Sequence, residues 1–235
     1  MKKIGTMLVA MALVGLAGTA LAQALPALTA GAPASAGQIA ADPSLTLTID
    51  TPQEVIIDAI AQGGMDAQLR LMHDGSYVAD DSDSGDGTNA RLAAFLAPGT
   101  YQIITYEYQY RPMTATVQVT QAPAFTPVAT IAPGAAPAAI STPEGDWSRA
   151  SSVEVALNVA SPGNYTITAA TSDEHCSPEI QVIRNMEVEG YTISNSGSGT
   201  PATAERALVA GNYTLRIRNW WGHSCPMTVS VAPAS

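Results

Sequence analysis

The chain has 235 residues, with twenty acidic against ten basic side chains and a formal net charge of −10. Such a balance repels phosphate backbones and anionic lipid heads, which excludes nucleic-acid binding and membrane-surface binding as primary roles. No second long apolar run follows the first twenty-odd residues, so no transmembrane helix, and no membrane insertion, is expected beyond them.

In chain order, Lys2 and Lys3 open a basic start, and an apolar run reaches Leu21. Ala20-Leu21-Ala22 then supplies small residues at a cleavage position before Gln23. This pattern predicts a secretory signal peptide over 1–22, and hence a bacterial periplasmic or released protein. No cysteine follows the small residues, so lipidation is not expected. Cleavage would remove both lysines and leave eight arginines against all twenty acids.

Residues 23–43 are rich in Ala, Pro, Gly and Ser and read as a flexible leader. A first folded unit is expected over 44–120. Residues 121–141 are again Ala/Pro-rich and read as a semi-rigid linker, because proline stiffens the chain and removes ladder donors. A second unit is expected over 142–235.

Both units carry a hydrophobic period of two. Leu45-Thr46-Leu47-Thr48-Ile49 and Val153-Glu154-Val155-Ala156-Leu157 alternate, and so do Leu69-Arg70-Leu71 and Thr116-Val117-Gln118-Val119 with their later counterparts. Gly, Pro, Asp and Ser clusters separate these short runs, the pattern of an antiparallel β-sandwich. Ala90–Leu96 comes nearest to a helical stripe. It stops before Pro98-Gly99 and also alternates, so it is read as a strand.

The two units repeat one another. Leu96-Ala97-Pro98-Gly99-Thr100-Tyr101-Gln102-Ile103 returns as Leu208-Val209-Ala210-Gly211-Asn212-Tyr213-Thr214-Leu215. The spacing that relates Tyr101 to Tyr213 holds without a gap from about Val78/Gly190 to Val119/Val231. The first unit's run Asp66-Ala67-Gln68-Leu69-Arg70-Leu71, then Asp74-Gly75, Val78-Ala79-Asp80-Asp81, Ala97-Pro98-Gly99-Thr100-Tyr101 and Ala115-Thr116-Val117-Gln118-Val119 resembles the bacterial pre-peptidase C-terminal domain. The second unit resembles it less: Ile193, Ser194 and Asn195 stand at and beside the acidic pair, and no clear Asp-Gly is present. The resemblance implies two tandem jelly-roll-like β-sandwich domains, all-β, of a kind that accompanies secreted enzymes without catalysing. Some members bind calcium and others bind protein or polysaccharide. No protease or hydrolase domain is expected within these 235 residues.

Three constellations could carry function. Asp80, Asp81, Asp83 and Asp86 share a Ser/Gly-rich loop; calcium takes about six to eight hard oxygens, and such a loop can offer several. The same residue types also build plain turns, and the loop lacks the closing glutamate and flanking helices of an EF-hand. Cys176 and Cys225 predict a disulfide inside the second unit, since an exported chain meets an oxidising space. A His175, Cys176, His223, Cys225 metal site is the alternative, with spacings unlike those of structural zinc. Tyr106, Tyr108 and Tyr110 fall opposite Trp220 and Trp221 in the repeat frame, and a strand would put the three tyrosines on one face. They are either core and lid or a stacking surface for sugar rings or protein.

Catalytic motifs such as G-x-S-x-G, H-E-x-x-H or a phosphate-cradling loop do not occur, and His73 stands alone in the first unit. The expected function is therefore that of an exported non-catalytic accessory protein that binds extracellular or periplasmic protein or carbohydrate. Calcium is the one cofactor suggested. An envelope or matrix component without a discrete ligand, and a small hydrolase of unrecognised type, are the alternatives.

Overall fold

A computed structural model describes residues 23–24, 35–40, 44–145, 152–194 and 197–234, so the signal-peptide segment lies outside the described residues. Among the described residues every regular element is a strand. The first copy contains β1 (Gln23–Ala24), β2 (Ser35–Ala40), β3 (Ser44–Ile49), β4 (Gln53–Ala61), β5 (Ala67–His73), β6 (Ser76–Asp81), β7 (Ala90–Leu96), β8 (Gly99–Glu107) and β9 (Thr114–Gln121). The second contains β10 (Ala129–Ile131), β11 (Ala138–Thr142), β12 (Ser152–Val159), β13 (Gly163–Ala170), β14 (Pro178–Arg184), β15 (Glu187–Val188), β16 (Ile193–Ser194), β17 (Ala202–Leu208), β18 (Gly211–Asn219) and β19 (Cys225–Pro233).

Each copy forms two sheets with the same strand order. The first sheet runs β1-β3-β8-β5-β6 and the second β2-β9-β4-β7; the third runs β10-β12-β18-β14-β15, with β16 also on β14, and the fourth β11-β19-β13-β17. Registers agree as well. Leu47 faces Tyr101 as Leu157 faces Tyr213, and Ile57 faces Val119 as Ile167 faces Val231. The alternation seen in the sequence becomes burial. On β3, Leu45, Leu47 and Ile49 enter the first core beside Val55 and Ile57, and Val155, Leu157 and Ile167 do the same in the second. Each such side chain contributes roughly 1.5–3 kcal/mol by leaving water. Ala90–Leu96 is a strand, as its alternation predicts.

The segments read as leader and linker contain strands. β1 and β10 add in parallel to β3 and β12, and β2 and β11 add antiparallel to β9 and β19, all at sheet edges. Ile39 opposite Ala115 and Ile140 opposite Met227 occupy matching register positions. An edge strand pairs along one side only, so a few donors between prolines suffice. Ile131 and Ile140 supply buried anchors for the second copy.

The Gly-x-Tyr turns have a mechanical role. Tyr101 Oη donates to the Ala97 carbonyl at 3.0 Å, and Tyr213 Oη to that of Val209 at 3.0 Å, each locking the turn into its strand. Tyr165 Oη does the same with Ser161 at 2.7 Å. The His73 ring stacks on Tyr101 with centroids 4.6 Å apart. A Cβ on Gly99 would stand 2.8 Å from His73 Nε2, so glycine leaves the room that this stack needs.

Cys176 and Cys225 are joined in a disulfide with a Cα–Cα distance of 6.0 Å, both fully buried. The bond ties the turn before β14 to the first residue of β19. Tyr108 N donates to the Asp66 carbonyl as Trp220 N donates to that of Ser177. This register makes Met65 and Met113 the first copy's counterparts of the two cysteines. Both methionines pack on the first core, so adaptable thioethers fill the place that the bridge takes in the second copy.

The two sandwiches stack, with the outer face of the second sheet on the outer face of the third. Arg216 on β18 reaches Glu54 on β4 through two hydrogen bonds of 2.7 and 2.8 Å, and lies 3.6 Å from Glu154 on β12. The side chains of Arg216 and Glu54 are 8% and 1% exposed. The guanidinium also lies over the Phe95 and Phe125 rings at 4.9 and 5.3 Å, and Thr126 N donates to Glu154 Oε2 at 2.8 Å.

Candidate functional site

The loops that precede the last strand of each copy expose aromatic rings. Tyr108 and Tyr110 are 64% and 81% exposed; Trp220 and Trp221 are 40% and 59% exposed. β8 ends at Glu107, and the chain then turns, with Tyr110 N donating to the Glu107 carbonyl at 2.7 Å and Tyr110 at a φ of 58°. The three tyrosines therefore do not line one strand face. The turn instead folds Tyr110 back, so that its ring stacks on Tyr106 with centroids 5.6 Å apart, while Tyr108 stands free of that stack. In the second copy Trp221 Nε1 donates to Ser198 Oγ at 3.1 Å, and the Arg218 guanidinium lies 6.0 Å from the Trp220 ring centre.

The carboxylate of Glu107 holds the first loop. It accepts from Gln109 N at 2.7 Å, from Arg111 N at 3.2 Å and from Arg111 Nε at 2.9 Å, and pairs with Arg111 Nη2. Asn219 occupies the equivalent place, accepting from Ser177 N at 2.8 Å and donating to the His223 carbonyl at 3.0 Å. Hydrogen bonds from Arg111, above all, push the Glu107 pKa from its ordinary 4.5 down to about 2. A carboxylate depressed in this way stabilises the fold above its unfolded pKa, and the contribution disappears as pH falls through the folded value. The loop should thus stay closed at pH 5 and open between about 4.5 and 2. Amide exchange at Gln109 and Arg111 would show this, and Glu107→Gln should exchange rapidly at pH 5 as well. Unchanged exchange in that variant would mean that the carboxylate does not hold the loop.

The acidic loop is built by its own hydrogen bonds. Asp81 accepts from Ser84 N at 3.1 Å, Ser84 Oγ at 2.6 Å and Arg91 N at 2.9 Å. Tyr77 Oη donates to Asp80 at 2.7 Å, a bond that raises the Tyr77 pKa. The Asp86 carbonyl accepts from Asn89 Nδ2 at 2.7 Å, and Asn89 Oδ1 in turn accepts from Ala61 N at 3.0 Å. Asp83 lies beside them on the same wall. Among the described residues no three His, Cys, Asp or Glu side chains are gathered to hold a metal ion. Asp81 directs both carboxylate oxygens at protein donors. The disulfide likewise removes Cys176 and Cys225 from any zinc site.

A cleft of about 370 Å³ lies between the sandwiches. From the first copy it takes Ile56, Asp80, Asp81, Ser84 and Arg91, among others; from the second it takes Glu179, Gln181, Thr192, Arg216 and Arg218. Arg91 pairs with Asp58 at 2.7 Å and Arg218 with Glu179 at 2.5 Å. A shallower hollow of about 410 Å³ shares Asp80, Asp81 and Ser84 with the cleft and ends on Gln68 and Tyr106. The acidic loop is thus the rim between cleft and aromatic loop. The arginines of the cleft were not among the residues singled out from the sequence. Their signal is the alternation Leu215-Arg216-Ile217-Arg218, in which two guanidiniums leave the sheet on the face away from the core.

No family model matches the sequence, and no curated protein matches it. Among solved structures, the chain is similar to the pre-peptidase C-terminal domain of a collagenase from Bacillus anthracis. That likeness has 15% identity and a TM-score of 0.34 and covers 42% of this chain and 96% of the other. It is also similar to the N-terminal CBM22-1–CBM22-2 tandem domain from Paenibacillus barcinonensis Xyn10C, at 12% identity and a TM-score of 0.28, with 86% of each chain covered. A third likeness is to the CUB1-EGF-CUB2 domains of rat MASP-1, at 8% identity and a TM-score of 0.26, covering 89% of this chain and all of the other.

Proposed function

We propose that this is an exported, non-catalytic protein that binds extracellular polysaccharide through the aromatic loops at corresponding ends of its two sandwiches. One observation carries the reading: the same loop in both copies presents two large rings to solvent, although the ring types differ. Exposed rings offer rigid apolar area to the CH faces of sugars, with a polar edge for hydroxyls. The buried disulfide and the basic-apolar start of the chain support export to an oxidising space.

The test is retention of the full chain on insoluble cellulose, xylan, chitin and peptidoglycan. At least one should retain the parent protein. A Tyr108→Ala/Tyr110→Ala/Trp220→Ala/Trp221→Ala variant should be retained about tenfold less, equivalent to roughly 1.4 kcal/mol, with an unchanged melting profile. Equal retention of that variant would overturn the aromatic reading. Retention on collagen or gelatin alone would assign the loops to protein.

A further inference from the structure

We infer that the cleft between the sandwiches is a second ligand site, which takes a neutral, hydroxyl-rich molecule of one or two sugar rings. The site exists only because the domain is duplicated, since each copy supplies one wall. Its volume of about 370 Å³ falls within the range of about 300–1,000 Å³ typical of small-molecule sites.

The charge pattern selects the ligand class. Each arginine in the lining already has a carboxylate: Arg91 has Asp58, Arg216 has Glu54, and Arg218 has Glu179. Positive charge is therefore spent within the protein, while Asp80 and Asp81 add negative charge to the rim. An anion would meet net repulsion. A compact cation fares little better, because Asp81 already receives three donors. A hydroxyl fits both sides of this chemistry, donating to Asp80 and accepting from the Gln181 amide. The Arg216 Nε–H is buried without an acceptor in the protein, and a slight parting of the walls would let a ligand oxygen reach it. Ile56 and Ala93 supply the apolar patch that the CH face of a pyranose needs.

This site is independent of the aromatic loops, and its test keeps the two apart. The probes are glucose, xylose, N-acetylglucosamine, cellobiose and xylobiose, with glucuronate and inorganic phosphate as anions. Each is titrated into the full chain and followed by calorimetry and amide chemical shifts. At least one neutral sugar should bind and perturb Ala93, Gln181 and Thr192 together, and the anions should not. Gln181→Trp and Thr192→Trp, which fill the cleft from two different segments, should each weaken binding about tenfold or more. The four-ring alanine variant should leave cleft binding unchanged while losing polysaccharide retention. The proposal is overturned if no neutral sugar binds, if glucuronate or phosphate binds in preference, or if the perturbed amides lie away from the cleft. The shift map is read on the parent protein, so it decides even where a tryptophan variant fails to fold.

Discussion

Replacing Cys176 and Cys225 together by alanine should lower the stability of the second sandwich by about 3–4 kcal/mol. The bond spans 49 residues of sequence, and cross-linking a loop of that length removes much of the freedom of the unfolded chain. Both sulfurs lie in a fully buried position between the turn before β14 and the start of β19. All three tryptophans, Trp147, Trp220 and Trp221, belong to the second copy, so tryptophan fluorescence in urea reports on that copy alone. Its midpoint should fall sharply in the variant, or in parent protein unfolded under reductant. Resonances of the first core, where Met65 and Met113 stand in for the bridge, should keep their denaturant dependence. A fluorescence midpoint unchanged by reduction would show that the bridge adds nothing to the fold.

The second large effect is expected at the junction. Arg216→Ala leaves Glu54 and Glu154 facing one another across a nearly dry interface without the guanidinium that balances them. Removing one partner of a buried ion pair costs about 3–5 kcal/mol, because the remaining charge stays desolvated. Here part of that cost can be relieved if the sandwiches separate, so the expected outcome is uncoupling. Two resolved unfolding transitions should replace a shared one, and limited proteolysis should reach the 121–128 stretch. An Arg216→Met/Glu54→Gln/Glu154→Gln variant should recover most of the loss, since apolar or neutral groups of similar volume need no charge partner. If Arg216→Ala melts as the parent does, the ion cluster is not what holds the two copies together.

The strands of both copies were legible because half-buried strands write their orientation into every second residue. The repeat of Tyr101 as Tyr213 and the pairing of the two cysteines were equally direct. β1, β2, β10 and β11 were not legible. Their Ala/Pro-rich composition is that of a linker, and only their pairing partners, distant in sequence, make them strands. Glu54 and Arg216 were missed for a related reason. Each is an ordinary polar residue on the outward face of its strand, and its burial depends on a second copy lying against that face. The tyrosine run misled in one respect. Alternation over Tyr106, Tyr108 and Tyr110 suggested a continuing strand, whereas the Glu107 carboxylate stops it by gathering the next four residues into a turn.

The stacking of the copies is a head-to-tail contact, in which the second-sheet face of one unit meets the first-sheet-type face of the next. Contacts of that kind do not close on themselves and can in principle propagate without limit. The repeat frame shows how the outer faces differ from the joined ones. On the outward face of the first sheet the position of Arg216 is held by Ile104, and that of Glu154 by Ser44. On the outward face of the fourth sheet the position of Glu54 is held by Asn164, and that of Phe95 by Ala207. The two ends of the stack thus lack the charge and the ring that join its middle. Divergence of the faces thus sets the two ends of the stack apart from its middle, as divergence of the loops sets apart their rings.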